Sequence, residues 1–189
     1  MKAILSSGLT AAALFLQARC ISVPVALETR AAEACGFATV PLYVVVSGSL
    51  TDRIYTTDAT EVERALEGGA YLHENVLANV YSNSTGPRVP NTLPLYRLWS
   101  ASKTDHFVTT SWDEVESAVD SNGYEYQGVI GYAYADTSAE TGCAGTKAFY
   151  RMFRPDIEVH YYTLNSSEIQ TATSKGYMYE GITAYVFPA

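Results

Sequence analysis

The strongest constraint on this chain is that it repeats itself. Pro41–Tyr81 reads PLYVVVSGSLTDRIYTTDATEVERALEGGAYLHENVLANVY and Pro94–Tyr134 reads PLYRLWSASKTDHFVTTSWDEVESAVDSNGYEYQGVIGYAY, aligning without a gap at an offset of 53. A third copy, Ala148–Phe187, starts at an offset of 54 and returns to 53 after losing one residue in its middle. Units of about forty residues, joined by loops of roughly a dozen, cannot each bury both faces, so the three must pack around a common axis. Residues 41–189 are therefore expected to form one domain of three repeats, 41–81, 94–134 and 148–187.

Each copy has the same local pattern. Leu95–Trp99 and His106–Thr110 flank a polar turn, as the strands of a hairpin do. A helix start follows, marked by Asp58 with Glu61, Ser111 with Glu114 and Asn165 with Glu168, the spacing of a capping box. Val115, Ala118 and Val119 make a narrow apolar stripe, and Asn122-Gly123 and Lys175-Gly176 mark left-handed helix stops. A final strand or pair of short strands, interrupted at Gly128 and Gly181, completes the unit. The fold class is mainly β (α+β): three pseudo-symmetric units of short antiparallel strands, each with one short helix, resembling a three-bladed propeller. A β-trefoil is the alternative, although trefoil units lack a capped helix.

The N-terminus reads as an export signal. Met1-Lys2, an apolar run from Ala3 to Leu16 and a polar stretch to Cys20 match a secretory signal peptide over residues 1–20, and the apolar run is too short to span a membrane. Residues 21–40 read as a pro-segment or N-terminal arm, with a second cut possible near Ala34. Cleavage after Cys20 leaves two cysteines, Cys35 and Cys143, whose simplest state in an oxidising compartment is a disulfide. An intrachain bond implies a monomer; a disulfide-linked dimer is the alternative. Export also gives meaning to two glycosylation sequons, at Asn83 and Asn165.

A net charge of -8 argues against counterion-release binding to nucleic acid or to an anionic membrane surface. Fifteen tyrosines suit half-buried strands and also suit recognition surfaces.

These units resemble a family of secreted repeat proteins found in fungi and bacteria and catalogued as a domain of unknown function. The resemblance rests on PLYRLW, TDHFVTT and GYEYQGVIGY in the second copy and on FYRMF, HYYT and GYMYEGITAY in the third. The first copy diverges, with Val44 for Arg97 and Arg151, Arg53 for His106 and His160, and Asn75 for Gly128 and Gly181. The signal, sequons and acidic chain are also similar in character to the secreted immunomodulatory proteins of mushrooms.

The candidate ligand-binding residues are Tyr96, Arg97, Asp105 and His106 in the second unit and Tyr150, Arg151 and His160 in the third. Two roles are open to them. In one, Asp105 closes its hairpin, His106 and Arg97 hold hairpin to hairpin, and the tyrosines are core. In the other, clefts between units present aromatic faces with Arg, Asp and His to a sugar or other small polar ligand. No Ser, Cys or paired carboxylate recurs in a triad-like pattern, no histidine spacing fits a metal, and no cofactor is called for. The expected function is a non-enzymatic secreted binding or effector protein, immunomodulatory or glycan-recognising, with a glycan or cell-surface receptor as partner. The rivals are a cell-wall-directed hydrolase using Asp105 and His106 and a structural extracellular component.

Overall fold

Among the described residues, alternating and clustered apolar residues produce ten strands, with a helix after each of the three hairpins. The computed structural model describes residues 33–48, 51–82, 89–136 and 144–189; the expected signal peptide, most of the arm, Asn83 and Cys143 lie outside these. β1 (Glu33–Ala34) precedes a first group of β2 (Phe37–Ser47), β3 (Arg53–Thr56), α1 (Ala59–Glu67) and β4 (Tyr71–Tyr81). The second group is β5 (Thr92–Ser100), β6 (Asp105–Thr109), α2 (Trp112–Ser121) and β7 (Glu125–Tyr134). The third is β8 (Lys147–Arg154), β9 (Val159–Thr163), α3 (Ser167–Ser174) and β10 (Met178–Pro188). The fold is thus mainly β, with antiparallel pairing throughout the described strands.

Within each group the first strand is central. β2 lies between β3 and β4, β5 between β6 and β7, and β8 between β9 and β10. The register repeats too: Val44 faces Tyr55, Arg97 faces Val108 and Arg151 faces Tyr162. β7 and β10 are single strands with register shifts, and Gly128 (φ 107°) and Gly181 (φ 130°) supply the positive φ their bulges need. Phe37–Val40, assigned from sequence to the arm, open β2, and Thr39 and Val40 pair with Tyr81 and Val80 of β4.

The last strands of the groups join one another: Tyr81 pairs with Tyr132, Tyr185 with Tyr134, and Phe187 with Asn79. Where they meet, Tyr81, Tyr134 and Phe187 pack edge-on, with centroids 5.7, 5.5 and 6.3 Å apart. Edge-to-face contacts suit the ring quadrupole, and the two phenol oxygens also bond at 3.0 Å. Phe37 closes over Tyr81 at 6.2 Å, which ties the start of β2 to this cluster.

The strands join in one ten-stranded sheet among the described residues, and each group packs its two faces against different neighbours. One face contributes Leu42, Leu95, Phe149, Tyr55 and Tyr162 to a core common to all three groups. The other is covered by its own helix: Val62 over Val45 and Ile54, Val115 and Ala118 over Leu98 and Phe107, and Ala172 over Met152 and Val159. Tyr162 Oη accepts from Val108 N and donates to Val108 O, and Tyr55 Oη accepts from Tyr162 N, so the phenols reach into neighbouring groups without losing hydrogen bonds.

The helix ends depart from expectation. Only Ser111 accepts from the third backbone N–H, that of Glu114 at 3.3 Å; Asp58 accepts from Thr60 N at 2.8 Å, two residues on, and α3 takes Ser166 as its N-cap without a side-chain cap bond, Asn165 accepting from Ser167 N at 3.1 Å. The glutamates three residues on do not close the box: Glu61 and Glu114 point across to arginines of the next group. A bidentate guanidinium is a stronger partner than one backbone N–H. Val119 is 42% exposed, so the stripe of α2 that meets the core is Val115 and Ala118. No helix among the described residues is long and apolar enough to cross a membrane.

Candidate functional site

Five of the seven candidate residues, Arg97, Asp105, His106, Arg151 and His160, lie along the seams where one group meets the next, and the same positions build two of those seams. Between the first and second groups, Arg97 of β5 places Nη1 and Nη2 at 2.8 and 2.9 Å from the two carboxylate oxygens of Glu61 on α1. Its Nη1 also donates to Tyr55 O at 3.1 Å. Between the second and third groups, Arg151 of β8 lies on Glu114 of α2 with two contacts of 2.9 Å, and its Nε is 3.0 Å from Glu180. Burial is the largest single influence on the Glu61 carboxyl and raises its pKa, but the Arg97 guanidinium, the Thr56 hydroxyl and His106 together leave it below the ordinary value. Arg151 lowers that of Glu114 in the same way, against a smaller opposing effect of burial.

Asp105 and His106 are neighbours in sequence but not partners in space. Successive side chains of a strand face opposite ways, so the pair is split between two seams. His106 Nδ1 is 2.8 Å from Asp52 Oδ2, and its backbone N donates to Asp52 Oδ1 at 3.1 Å. Asp105 takes the matching bonds from His160, 2.7 Å from its N and 2.6 Å from its Nδ1. A carboxylate only accepts, so each Nδ1 is the donor. Tyr71 and Tyr124 complete the two carboxylates, donating to Asp52 at 2.6 Å and to Asp105 at 2.7 Å. Burial pushes both phenols well above their usual pKa, which keeps them donors at any physiological pH.

Sequence reasoning missed Asp52, Glu61, Glu114 and Glu180 as partners of the candidate residues. A signal was present: Asp52 and Asp105, and Glu61 and Glu114, recur at the repeat offset. The glutamates had a local explanation in capping, which concealed the distant one. The third seam is different, because Val44 and Val159 occupy the positions of Arg97 and Asp105.

Around the second seam lie two cavities. One, of about 300 Å³, is lined by His160, Glu180, Glu114, Tyr124, Lys103 and Glu158 among others. The His160 ring is held between Phe107 and Phe153, at 4.7 and 4.8 Å, and its Nε2 is 3.8 Å from Glu180. The other, of about 330 Å³, lies against Arg151, Thr110, Ile182 and Thr183 and shares Glu114 and Glu180 with the first. A cavity of about 650 Å³ at the third seam takes in Tyr150. Among the described residues no group of three or more His, Cys, Asp and Glu could hold a metal ion.

A family model described as a domain of unknown function, DUF5648, matches residues 41–187. The chain belongs to the DUF5648 family. No curated protein and no solved structure matches it.

The DUF5648 domain also carries an aromatic surface away from the seam bonds. Tyr96 of β5 packs edge-on against Trp112 at 5.3 Å and against Tyr126 of β7 at 6.1 Å, and Trp112 and Tyr126 are 5.7 Å apart. Trp112 is 47% exposed and Tyr126 42%, and the indole Nε1 donates to Glu116 at 2.9 Å. The third group repeats the pair Tyr150 and Tyr179 at 6.2 Å, without the tryptophan. Of the seven sequence candidates, the structure therefore places Arg97, Asp105, His106, Arg151 and His160 in seam bonds and Tyr96 and Tyr150 on ring clusters.

Proposed function

We propose that this DUF5648 domain is a secreted, non-enzymatic binding module that recognises a glycan through the surface formed by Tyr96, Trp112 and Tyr126. The observation that carries the reading is the exposure of Trp112 and Tyr126, edge-on to each other at 5.7 Å. A sugar ring stacks its C–H face on such a surface, and acceptors beside it, here Glu116 bonded to the indole, meet its hydroxyls. The use of Asp105, His106 and Arg97 in seam bonds supports a binding role over a hydrolytic one, since each has a structural partner. An immunomodulatory role would follow from recognition of cell-surface glycans.

Three further readings belong to the same proposal. The signal-like N-terminus, the sequons and the disulfide-bonded state of Cys35 support secretion. The partner of Cys35 lies outside the described residues, and we take it to be Cys143 within the same chain, giving a monomer. The meeting of β4, β7 and β10 around Tyr81, Tyr134 and Phe187 supports a three-bladed, propeller-like closure of three repeats.

A glycan array read with wild type and with Trp112→Ala and Tyr126→Ala tests the function, alongside a panel of cell-wall polymers assayed for release of reducing ends. Saturable glycan binding that falls at least tenfold in either variant supports the reading. Turnover that disappears in Asp105→Ala replaces it with a hydrolase, and the absence of any saturable ligand leaves a structural extracellular component.

A further inference from the structure

The second and third groups carry the same pair of rings, and only one pair is covered. Tyr96 faces Thr109 and Tyr126 faces Leu98, as Tyr150 faces Thr163 and Tyr179 faces Met152, and the paired rings are 6.1 and 6.2 Å apart. Trp112 closes over the first pair at 5.3 and 5.7 Å. Ser166 holds the place of Trp112: Ser111 N and Asn165 N donate to the Oγ1 of Thr109 and Thr163, and those hydroxyls donate in turn to Glu114 and Glu168. A serine side chain cannot cover two phenols. Among the described residues no third ring packs on Tyr150 and Tyr179, and Tyr179 is left 48% exposed.

The serine that replaces the indole is the middle residue of the sequon Asn165-Ser166-Ser167. Asn165 is exposed, and it lines the cavity of about 650 Å³ together with Ser166, Tyr150, Leu77 and Lys147. Its Oδ1 accepts from Ser167 N at 3.1 Å and from Ser167 Oγ at 2.7 Å, which fixes the amide plane, and its Nδ2 donates to Glu168. An amide nitrogen carries two protons, so one N–H is open to substitution while the other keeps the Glu168 bond. Tyr161 and Thr163 donate to Glu168 as well, so that carboxylate is satisfied and the cavity's open feature is the tyrosine pair.

We propose that Asn165 carries an N-linked glycan whose first sugar lies in this cavity over Tyr150 and Tyr179, as the third group's replacement for Trp112. In the attachment Asn165 Nδ2 takes the anomeric carbon of the sugar from a lipid pyrophosphate donor: the N–C bond forms, the C–O bond to pyrophosphate breaks, and one amide proton leaves. A pyranose turns an apolar C–H face to a phenol ring and keeps its hydroxyls for the cavity rim and solvent, so it stacks where the indole would. The third group's rings then serve the chain's own sugar, whereas those of the second group stay open to an outside ligand. The proposal rests on the secreted reading, because the donor is met on export.

The test begins with the full chain secreted from a eukaryotic host, the Asn165 peptide being weighed before and after enzymatic release of N-linked glycans. That peptide is expected to carry a glycan. Asn165→Ser removes the sequon and installs the residue that caps α2; it is expected to lower the thermal midpoint by roughly 2–4 °C, while trimming the wild-type glycan to its first N-acetylglucosamine leaves the midpoint unchanged. Tyr179 is half exposed, so Tyr179→Ala keeps the fold, and in that background the Asn165→Ser loss is expected to vanish. Adding Ser166→Trp to Asn165→Ser copies the second group and is expected to restore the midpoint. A secreted chain with Asn165 bare overturns this proposal alone; a chain retained in the cell with neither sequon occupied overturns the export reading with it. An unchanged midpoint in Asn165→Ser overturns the proposal too, as does an equal loss with and without Tyr179, because the loss would then come from the helix cap and not from the rings.

Discussion

Arg151 crosses from the third group of elements to the second and lies with both terminal nitrogens 2.9 Å from the carboxylate of Glu114. The pair therefore acts as a clasp between pieces of chain that are distant in sequence, and Arg97 with Glu61 is its counterpart one seam earlier. Removing one partner leaves the other charge half-buried and unpaired. Arg97→Met is expected to destabilise the fold by about 2–3 kcal/mol, and Arg151→Met by about 1–2 kcal/mol because Glu114 is 40% exposed and partly screened. Urea denaturation of the two variants checks both the size and the order; equal losses would mean that solvent screening does not separate the seams.

Glu61, Glu114 and Glu168 all have carboxyl pKa values lowered on folding, from 4.5. A group lowered in the folded state stabilises it fully above the unfolded pKa and loses that contribution as pH falls through the folded one. The chain is therefore expected to lose stability below about pH 4.5, and Glu114→Gln to lose less over the same interval. Urea unfolding at pH 7 and pH 3.5 measures both; an equal or steeper acid loss in Glu114→Gln would contradict this origin.

Arg97 Nε is buried with no hydrogen-bond partner among the described residues, whereas Arg151 Nε has Glu180. Gln127, exposed, precedes Gly128 opposite Arg97 just as Glu180 precedes Gly181 opposite Arg151. Gln127→Glu copies the second seam into the first and is expected to stabilise by about 1 kcal/mol, raising the thermal midpoint by roughly 2–4 °C. A lowered midpoint would show that the first seam cannot accept the carboxylate.

Gly131 sits where the last strands converge, and a Cβ there would meet Val80 Cγ2 at 2.7 Å and Tyr81 O at 3.0 Å. The backbone oxygen cannot yield without moving β4. Gly131→Ala is expected to cost about 1–3 kcal/mol, read from calorimetric unfolding, and a neutral result would mean the convergence is looser than this contact.

Cys35 is disulfide-bonded and sits at φ 53° between β1 and β2. With Cys143 as its partner, the protein is expected to run on a non-reducing gel as a monomer, and Cys143→Ser to release a titratable thiol at Cys35. A band at twice the reduced mass would place the bond between chains instead.

The sequence by itself determined the elements. Its offset of 53 placed the hairpins, helices and closing strands of the repeats, because strand alternation, helix stops and turn residues act over a few residues, but β1 and the opening of β2 from Phe37 to Val40 lay in what the sequence read as an arm. Gly123 (φ 70°) and Gly176 (φ 92°) end their helices as their positions implied. Tertiary structure alone decided the partners. Glu61 and Glu114 satisfy a capping pattern on paper, yet their bonds run to Arg97 and Arg151, 36 and 37 residues away. Asp105 and His106 are adjacent in the chain, yet they bond to His160 and Asp52 on opposite sides. Local patterns describe what one segment does with its own backbone; a charged side chain in a half-buried seam takes the strongest complementary group within reach, and which groups are within reach is known only once the three pieces have packed.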